Sequence, residues 1–441
     1  MFRHYLMVSL RNLWRNRFHS AINIFGLAIG ISACLVIFLI VRFELGYNQG
    51  LADYTRIYRI HSSFSGIFSG LNRGVPTGVA PFVRENFKGV ESVTLFHTHS
   101  NNVKIPLAAE KKDLGRQQAL AFVTPDYFHV FGPYQWLYGQ PEQSLSKPFQ
   151  VVLTQEKAKL YFGDIPLDQF IGKEIIYRDS LLMTVSAIVA SLPFTTDLEI
   201  TDFLSQATLE ASWLKTNYPA NDWTSVNSST QFFIKAQPTT TQQDLADQLE
   251  SLSKTYKENS TWGAENNFAL QPLSEIHYDF DTGIFDFSRE PAHLPTLLTL
   301  SIVALLLLII GCINFINLET AQAVRRAKEV GVRKVLGSDR ARLIAQFIAE
   351  STLITFISVL LALPLTEGGL VYFAEFVPKG LTFELVNVLP FLGLILLLVS
   401  LLAGAYPAFV LSSFLPALAL KNAAYANSNQ SRSAFLRKTL I

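Results

Sequence analysis

Cysteine is nearly absent: Cys34 and Cys312 are the only two in 441 residues. Both fall in long apolar runs, so no disulfide framework staples the polar part of the chain and no thiolate cluster holds a metal. Charge is sparse as well, at 16% of residues against 49% hydrophobic. That balance suits an integral membrane protein carrying a large water-exposed domain. Catalytic and nucleotide motifs are also missing. The phosphate-cradling Gly-x-x-x-x-Gly-Lys-Ser/Thr loop does not occur; Ile171-Gly172-Lys173-Glu174 has the Gly-Lys pair without the hydroxyl residue that binds magnesium. Neither His-Glu-x-x-His nor Gly-x-Ser-x-Gly is found. The expectation is a chain that is not itself an enzyme, with no catalytic residues, no cofactor, no metal and no nucleic-acid partner.

What the chain does have is four apolar runs long enough for a hydrocarbon core, which takes roughly 20 helical residues. They are Ala21–Val41, Leu294–Phe315, Gln346–Phe373 (interrupted by Pro364 and Glu367) and Val388–Leu411. Lys and Arg mark the cytoplasmic side. Arg3, Arg11, Arg15 and Arg17 precede the first run; Arg325, Arg326, Lys328, Arg333, Lys334, Arg340 and Arg342 join the second and third; Lys421, Arg432, Arg437 and Lys438 follow the fourth. Between the third and fourth only Lys379 stands beside Glu367, Glu375 and Glu384. Both termini are therefore expected in the cytoplasm of a bacterial inner-membrane protein. The segment Glu44–His293 is expected outside; it holds 28 acidic against 19 basic residues, a net of −9.

The resulting division is a cytoplasmic amphipathic helix at 1–19, spans at 20–43, 294–317, 345–373 and 388–411, and an outer domain at 44–293. Cytoplasmic coupling helices are assigned to 318–344, an outer loop to 374–387 and a cytoplasmic tail to 412–441. Phe2, Leu6, Leu10, Leu13, Trp14 and Phe18 recur at helical spacing, with arginines opposite, as in an interfacial helix. The bland reading of that arm is a segment made basic by topology alone. Ile31-Ser32-Ala33-Cys34 resembles a lipoprotein cleavage box, but the apolar run continues through Val41, so a span is expected. Gly26 and Gly30 form a small-xxx-small pair suited to close helix packing.

The outer region alternates strand and helix signals, and an α+β domain is expected. Phe149–Leu153 reads as a strand, followed by a helix Gln155–Phe162 capped by Thr154 and closed by Gly163. Glu174–Tyr177 and Leu181–Val189 read as a hairpin, Gln231–Lys235 as a strand, Gln242–Tyr256 as a polar helix, and Leu273–Phe287 as the return toward the second span. His97 and His99 alternate onto one strand face, but without a third ligand they read as surface histidines rather than a metal site. The acidic residues read as a solvated face. Asn314 and Asn317, at the inner end of the second span, read as capping or interhelical contacts.

The densest signal is the passage from Asn314-Phe315-Ile316-Asn317-Leu318 into Arg325-Arg326-Ala327-Lys328-Glu329-Val330-Gly331-Val332-Arg333-Lys334-Val335-Leu336-Gly337. Glu329 and Arg333 are spaced i,i+4 in the order that favours a helix, and Gly337-Ser338 marks a stop followed by a new start. One reading is a stiff lever beside the bilayer. The other is a basic stretch that only sets topology and binds anionic headgroups.

This motif resembles that of the FtsX-like permeases, the ABC-transporter membrane subunits that include the macrolide exporter and lipoprotein-releasing groups. Other stretches carry the resemblance in order. They are Arg11-Asn12-Leu13, Asn23-Ile24-Phe25-Gly26-Leu27, Ile57-Tyr58-Arg59, Asp126-Tyr127-Phe128, Val152-Leu153-Thr154, Tyr161-Phe162-Gly163 and Ala403-Gly404-Ala405-Tyr406-Pro407-Ala408. It implies a MacB-like periplasmic domain and a separate cytoplasmic P-loop ATPase whose closure moves the spans as levers. That work would drive export or extraction of peptides, amphiphiles or lipoproteins, or activate a cell-wall enzyme. By this analogy Arg325, Lys328, Glu329, Gly331, Arg333, Lys334 and Gly337 form the segment that touches the ATPase. The resemblance also implies two four-span units per assembly, as a homodimer or with a second permease half, and an outer domain open to a periplasmic partner. Leu436–Ile441 resembles the opening of a second such unit. A membrane-anchored sensor or scaffold, with a ligand-binding outer domain and no ATPase, is the alternative.

Overall fold

The structure is a computed structural model that describes residues 2–65, 69–106, 111–260, 265–285, 290–335 and 339–413. The chain forms two compact units, one from Met1–Phe43 with Pro295–Ile441 and the other from Glu44–Leu294.

The first unit is helical. An N-terminal helix, Phe2–Arg15, precedes four long helices at Arg17–Leu45, Leu294–Val335, Arg340–Tyr372 and Leu385–Ser413. Each long helix has a stretch apolar and long enough to cross a membrane. The first passes Cys34 without a break. The third also runs unbroken through Pro364, where the sequence suggested an interruption. In an apolar setting any break would leave several backbone groups unpaired, so the helix continues past the single N–H that Pro364 lacks. Leu27, Ile31, Leu35, Phe315, Ile354, Val359, Leu392 and Val399 pack in the interior of the bundle. Phe38 stacks on Phe391 with ring centroids 3.8 Å apart.

The second unit is an α+β domain built on one eleven-stranded sheet. Its strands are β1 (Ile57–Ser65), β2 (Gly70–Asn72), β3 (Val90–Pro106), β4 (Lys111–Val123), β5 (Trp136–Tyr138) and β6 (Gln150–Thr154). They continue with β7 (Glu174–Tyr177), β8 (Leu181–Val189), β9 (Asp202–Ser205), β10 (Thr230–Ala236) and β11 (Glu265–Pro272). The order is β11-β1-β10-β3-β4-β9-β6-β8-β5, with β2 beside β1 and β7 bridging β3 and β8. Pairing is antiparallel except for β4 with β9 and β6 with β8. Alternating strand residues feed three apolar cores. Tyr58, Ile60, Phe232 and Ile234 pack against helices 79–86 and 249–259. Val151, Leu153, Val185 and Leu204 pack around Tyr161 and Phe170. Phe96, Tyr127, Phe131, Phe203 and Phe233 fill the third core.

Local chemistry explains these elements. Thr154 caps the helix Gln155–Phe162 by accepting from the Lys157 amide at 3.4 Å, and Gly163 leaves it at φ 86°. Arg178 and Asp179 both adopt positive φ, 53° and 61°, as a tight hairpin between β7 and β8 requires. The polar helix expected over Gln242–Tyr256 is two helices, Gln242–Ala246 and Leu249–Asn259. At the break the Gln248 amide side chain pairs with the backbone of Lys88, accepting at 2.8 Å and donating at 3.2 Å.

Candidate functional site

The second long helix is 42 residues, Leu294–Val335, or about 63 Å at 1.5 Å per residue. Its apolar membrane stretch is Leu294–Ala321, so the helix continues well beyond it. Arg325, Lys328, Glu329, Gly331, Arg333 and Lys334 all lie on this extension. Gly337 and Ser338 lie outside the described residues. The next helix starts at Arg340, and its cap is Asp339, which accepts from the Arg342 amide at 2.9 Å. Asp339 therefore takes the capping role that the sequence suggested for Ser338.

Polar contacts tie this helix to its neighbours. Asn23 of the first long helix donates to Glu319 at 3.0 Å, just before the basic extension. One turn on, a Cβ at Gly26 would lie 3.3 Å from the Asn314 amide nitrogen; at Gly30 it would lie 3.5 Å from the Leu307 carbonyl oxygen. The first and second long helices thus run antiparallel, meeting side chain to side chain at Asn23, at the Asn314 side chain beside Gly26, and at backbone beside Gly30. The N-terminal helix is bound similarly. Asn12 donates to Glu350 of the third long helix at 2.9 Å, and Gln346 donates to the same carboxyl group at 3.3 Å. Glu350 is 7% exposed and Asn23 1%.

A carboxylate removed from water is costly unless hydrogen bonds replace its hydration. Amide donors supply such bonds while keeping the contact exchangeable. These carboxylates were not singled out from the sequence, although an acid at the end of an apolar run was a usable signal. Asn314 and Asn317 are exposed.

In the outer domain, His97 is buried and His99 half-buried. His97 is 1% exposed, with Nδ1 3.0 Å from the Thr230 hydroxyl; both rings pack on Tyr218, at 4.6 and 5.3 Å between centroids. Burial pushes His97 down to about 3 and His99 to about 4, so both are neutral. Among the described residues no group of three His, Cys, Asp or Glu side chains is arranged to hold a metal. Not every acid lies on a solvated face: Asp202 is fully buried, accepting from Tyr161 at 2.7 Å, Tyr177 at 2.8 Å and Thr201 at 2.9 Å. A cavity of about 490 Å³ is lined by Phe64, Tyr218, Asp222, Asn227 and Tyr256.

The family of MacB-like periplasmic core domains matches residues 20–252, and the FtsX-like permease C-terminal family matches residues 301–422. The permease YknZ of Bacillus subtilis is 28% identical over 130 residues, which are 29% of this chain and 30% of that protein. The macrolide export ATP-binding/permease protein MacB of Haemophilus ducreyi is 25% identical over 243 residues, 54% of this chain and 31% of that protein. The chain thus spans less than a third of the length of these relatives. Among solved structures, a permease domain from Porphyromonas gingivalis covers 57% of this chain and 99% of its own, at 17% identity and a TM-score of 0.40. The periplasmic region of MacB from Actinobacillus actinomycetemcomitans covers 52% of this chain and 92% of its own, at 14% identity and a TM-score of 0.36. With a MacB-like periplasmic domain between the first and second of four candidate membrane helices, the chain belongs to the MacB and FtsX-like ABC transporter permeases, multi-pass proteins of the bacterial inner membrane.

Proposed function

We propose that this permease converts the closing motion of a separate cytoplasmic ABC ATPase into movement of its periplasmic domain. Both termini lie in the cytoplasm, and two four-span units act together. The unbroken helix Leu294–Val335 carries the reading, since it joins the apolar span to the basic extension without a hinge. A stiff rod transmits displacement where a loop would absorb it. Arg325, Lys328, Glu329, Gly331, Arg333, Lys334 and Gly337 form the docking segment, with Glu329 the acidic member among basic neighbours. Close packing at Gly26 and Gly30 and the Asn23–Glu319 contact couple the first long helix to the rod.

The work drives export or extraction of peptides, amphiphiles or lipoproteins. The net charge of −9 on Glu44–His293 favours cationic cargo through electrostatic steering. The test is purification in mild detergent from native membranes. A P-loop ATPase should accompany the chain and be lost when 325–337 is scrambled with insertion intact. Recovery without any ATPase would favour the membrane-anchored sensor instead.

A further inference from the structure

Two covalent connections join the outer domain to the membrane helices, at Phe43–Glu44 and Leu294–Pro295. Inside the outer domain Glu44, at the first connection, is bound to His277, whose backbone in turn meets Ala292, two residues before Leu294 at the second. His277, on the return path, sits with Nε2 2.7 Å from Glu44 Oε2 and Nδ1 2.8 Å from Asp197 Oδ1. Its side chain is 1% exposed, those of Asp197 and Glu44 3% and 11%. Tyr47 stacks on the imidazole with centroids 3.7 Å apart, and the Tyr278 hydroxyl donates to the Glu44 carbonyl at 2.9 Å. The Ala292 amide donates to the His277 carbonyl at 2.8 Å, extending the return path.

Asn48 completes the knot. Its amide nitrogen donates to Asp197 at 2.7 Å and to the Leu273 carbonyl at 3.3 Å. Its oxygen accepts from the Thr196 hydroxyl at 2.8 Å and the Asp197 amide at 2.9 Å. Asn48 itself holds φ 62°, a left-handed conformation that asparagine tolerates better than most residues. Nothing in this arrangement suggests chemistry. Both ring nitrogens face carboxylate oxygens, so the ring has no free lone pair for a metal and no exposed edge for a substrate. Burial favours the neutral ring, but its hydrogen bonds to the Asp197 and Glu44 carboxylates outweigh it and hold His277 near 9. It is therefore an imidazolium between two carboxylates.

The knot is anchored to the sheet. Asp197 lies shortly before β9; Leu273 and Ile276, beside His277, are buried in the core with Ile57 of β1. Fully buried Arg59 of β1 donates to the Ile284 carbonyl at 2.8 Å and the Thr282 hydroxyl at 2.8 Å, clamping the return segment a second time.

We propose that Glu44, Asp197 and His277 form a clasp that locks both connections to the sheet, so that displacement of the first and second long helices enters the outer domain as one motion. This rests on the transmission role proposed above. His277 is then a positioning residue: it carries force and touches no cargo.

The test is hydrogen exchange on the full chain assembled with its co-purified ATPase, with and without a non-hydrolysable ATP analogue. In the unaltered chain the analogue should change exchange in helix 294–321 and also in β1 and β11. His277→Ala and Glu44→Gln should keep the helix response and the protection of β6, while the response of β1 and β11 falls at least twofold. Should His277→Ala fail to fold, Glu44→Gln decides the matter, since it keeps the shape of the side chain. Variants that respond in β1 and β11 like the unaltered chain would overturn the clasp, as would an unaltered chain whose helix responds while β1 and β11 do not. An unaltered chain with no helix response would instead overturn the transmission reading, and the clasp with it.

Discussion

Both units of this chain bury carboxylates, and they satisfy them differently. In the outer domain, Asp202 accepts from the hydroxyls of Tyr161 and Tyr177, on a helix and a strand of one core, and from its neighbour Thr201. Burial still raises its pKa despite those donors. In the helical unit, Glu319 accepts from Asn23 and Glu350 from Asn12, each on another helix, and Glu350 also accepts from Gln346 of its own helix. The first arrangement is a fixed part of a sheet. The second joins separate helices through side-chain amides, Asn23 to Glu319 and Asn12 to Glu350.

The sharpest way to break that comparison is to strip Asp202 of its donors. Tyr161→Phe with Tyr177→Phe should destabilise the outer domain by roughly 3–6 kcal/mol, taking about 1.5–3 kcal/mol for each hydrogen bond to a charged group. Urea unfolding followed by tryptophan fluorescence would read it. A loss below about 1 kcal/mol would mean Asp202 is not an organising centre.

A somewhat smaller effect is expected from pH. His277 has its folded pKa raised to about 9 from 6.5, so its stabilisation is fully present below about pH 6.5 and is lost as pH climbs through about 9. The groups around it are Glu44, Asp197, Glu199, Tyr278 and the Tyr47 ring. Outer-domain stability should decline by up to about 3 kcal/mol across that window. His277→Gln should flatten the decline; an unchanged profile would remove the ion-paired imidazolium.

Gly30→Leu should separate the first and second long helices, because its first carbon already meets the Leu307 carbonyl oxygen at 3.5 Å. Gly30→Ala should be nearly neutral, and cross-linking yield between the two helices would distinguish the pair. Least of all, Glu350→Gln should cost about 1 kcal/mol or less, as hydrogen bonds between membrane helices do. Its visible consequence would be in coupling rather than in melting temperature.

The sequence made some of this legible and hid the rest for physical reasons. Long apolar runs and Lys/Arg bias gave the four helices because lipid imposes a length and a charge rule on any chain that crosses it. Thr154 and Gly163 were readable because capping and a left-handed helix end are local demands. Pro364 misled, since its cost depends on whether water reaches the backbone. His97 and His99 misled too: alternation shows a shared face but not whether that face is covered. The Glu44–Asp197–His277 knot joins residues far apart in sequence, and no local pattern announces such a meeting.

In the transmission role proposed above, force from an ATPase enters through the extension of the helix Leu294–Val335. The most direct measurement is the double variant Glu329→Arg, Gly331→Trp in the full chain with its co-purified ATPase, read for ATP hydrolysis and for nucleotide-driven exchange change in β1 and β11. The account predicts that insertion and hydrolysis persist while the outer-domain response is lost. An outer-domain response as large as that of the unaltered chain would contradict it.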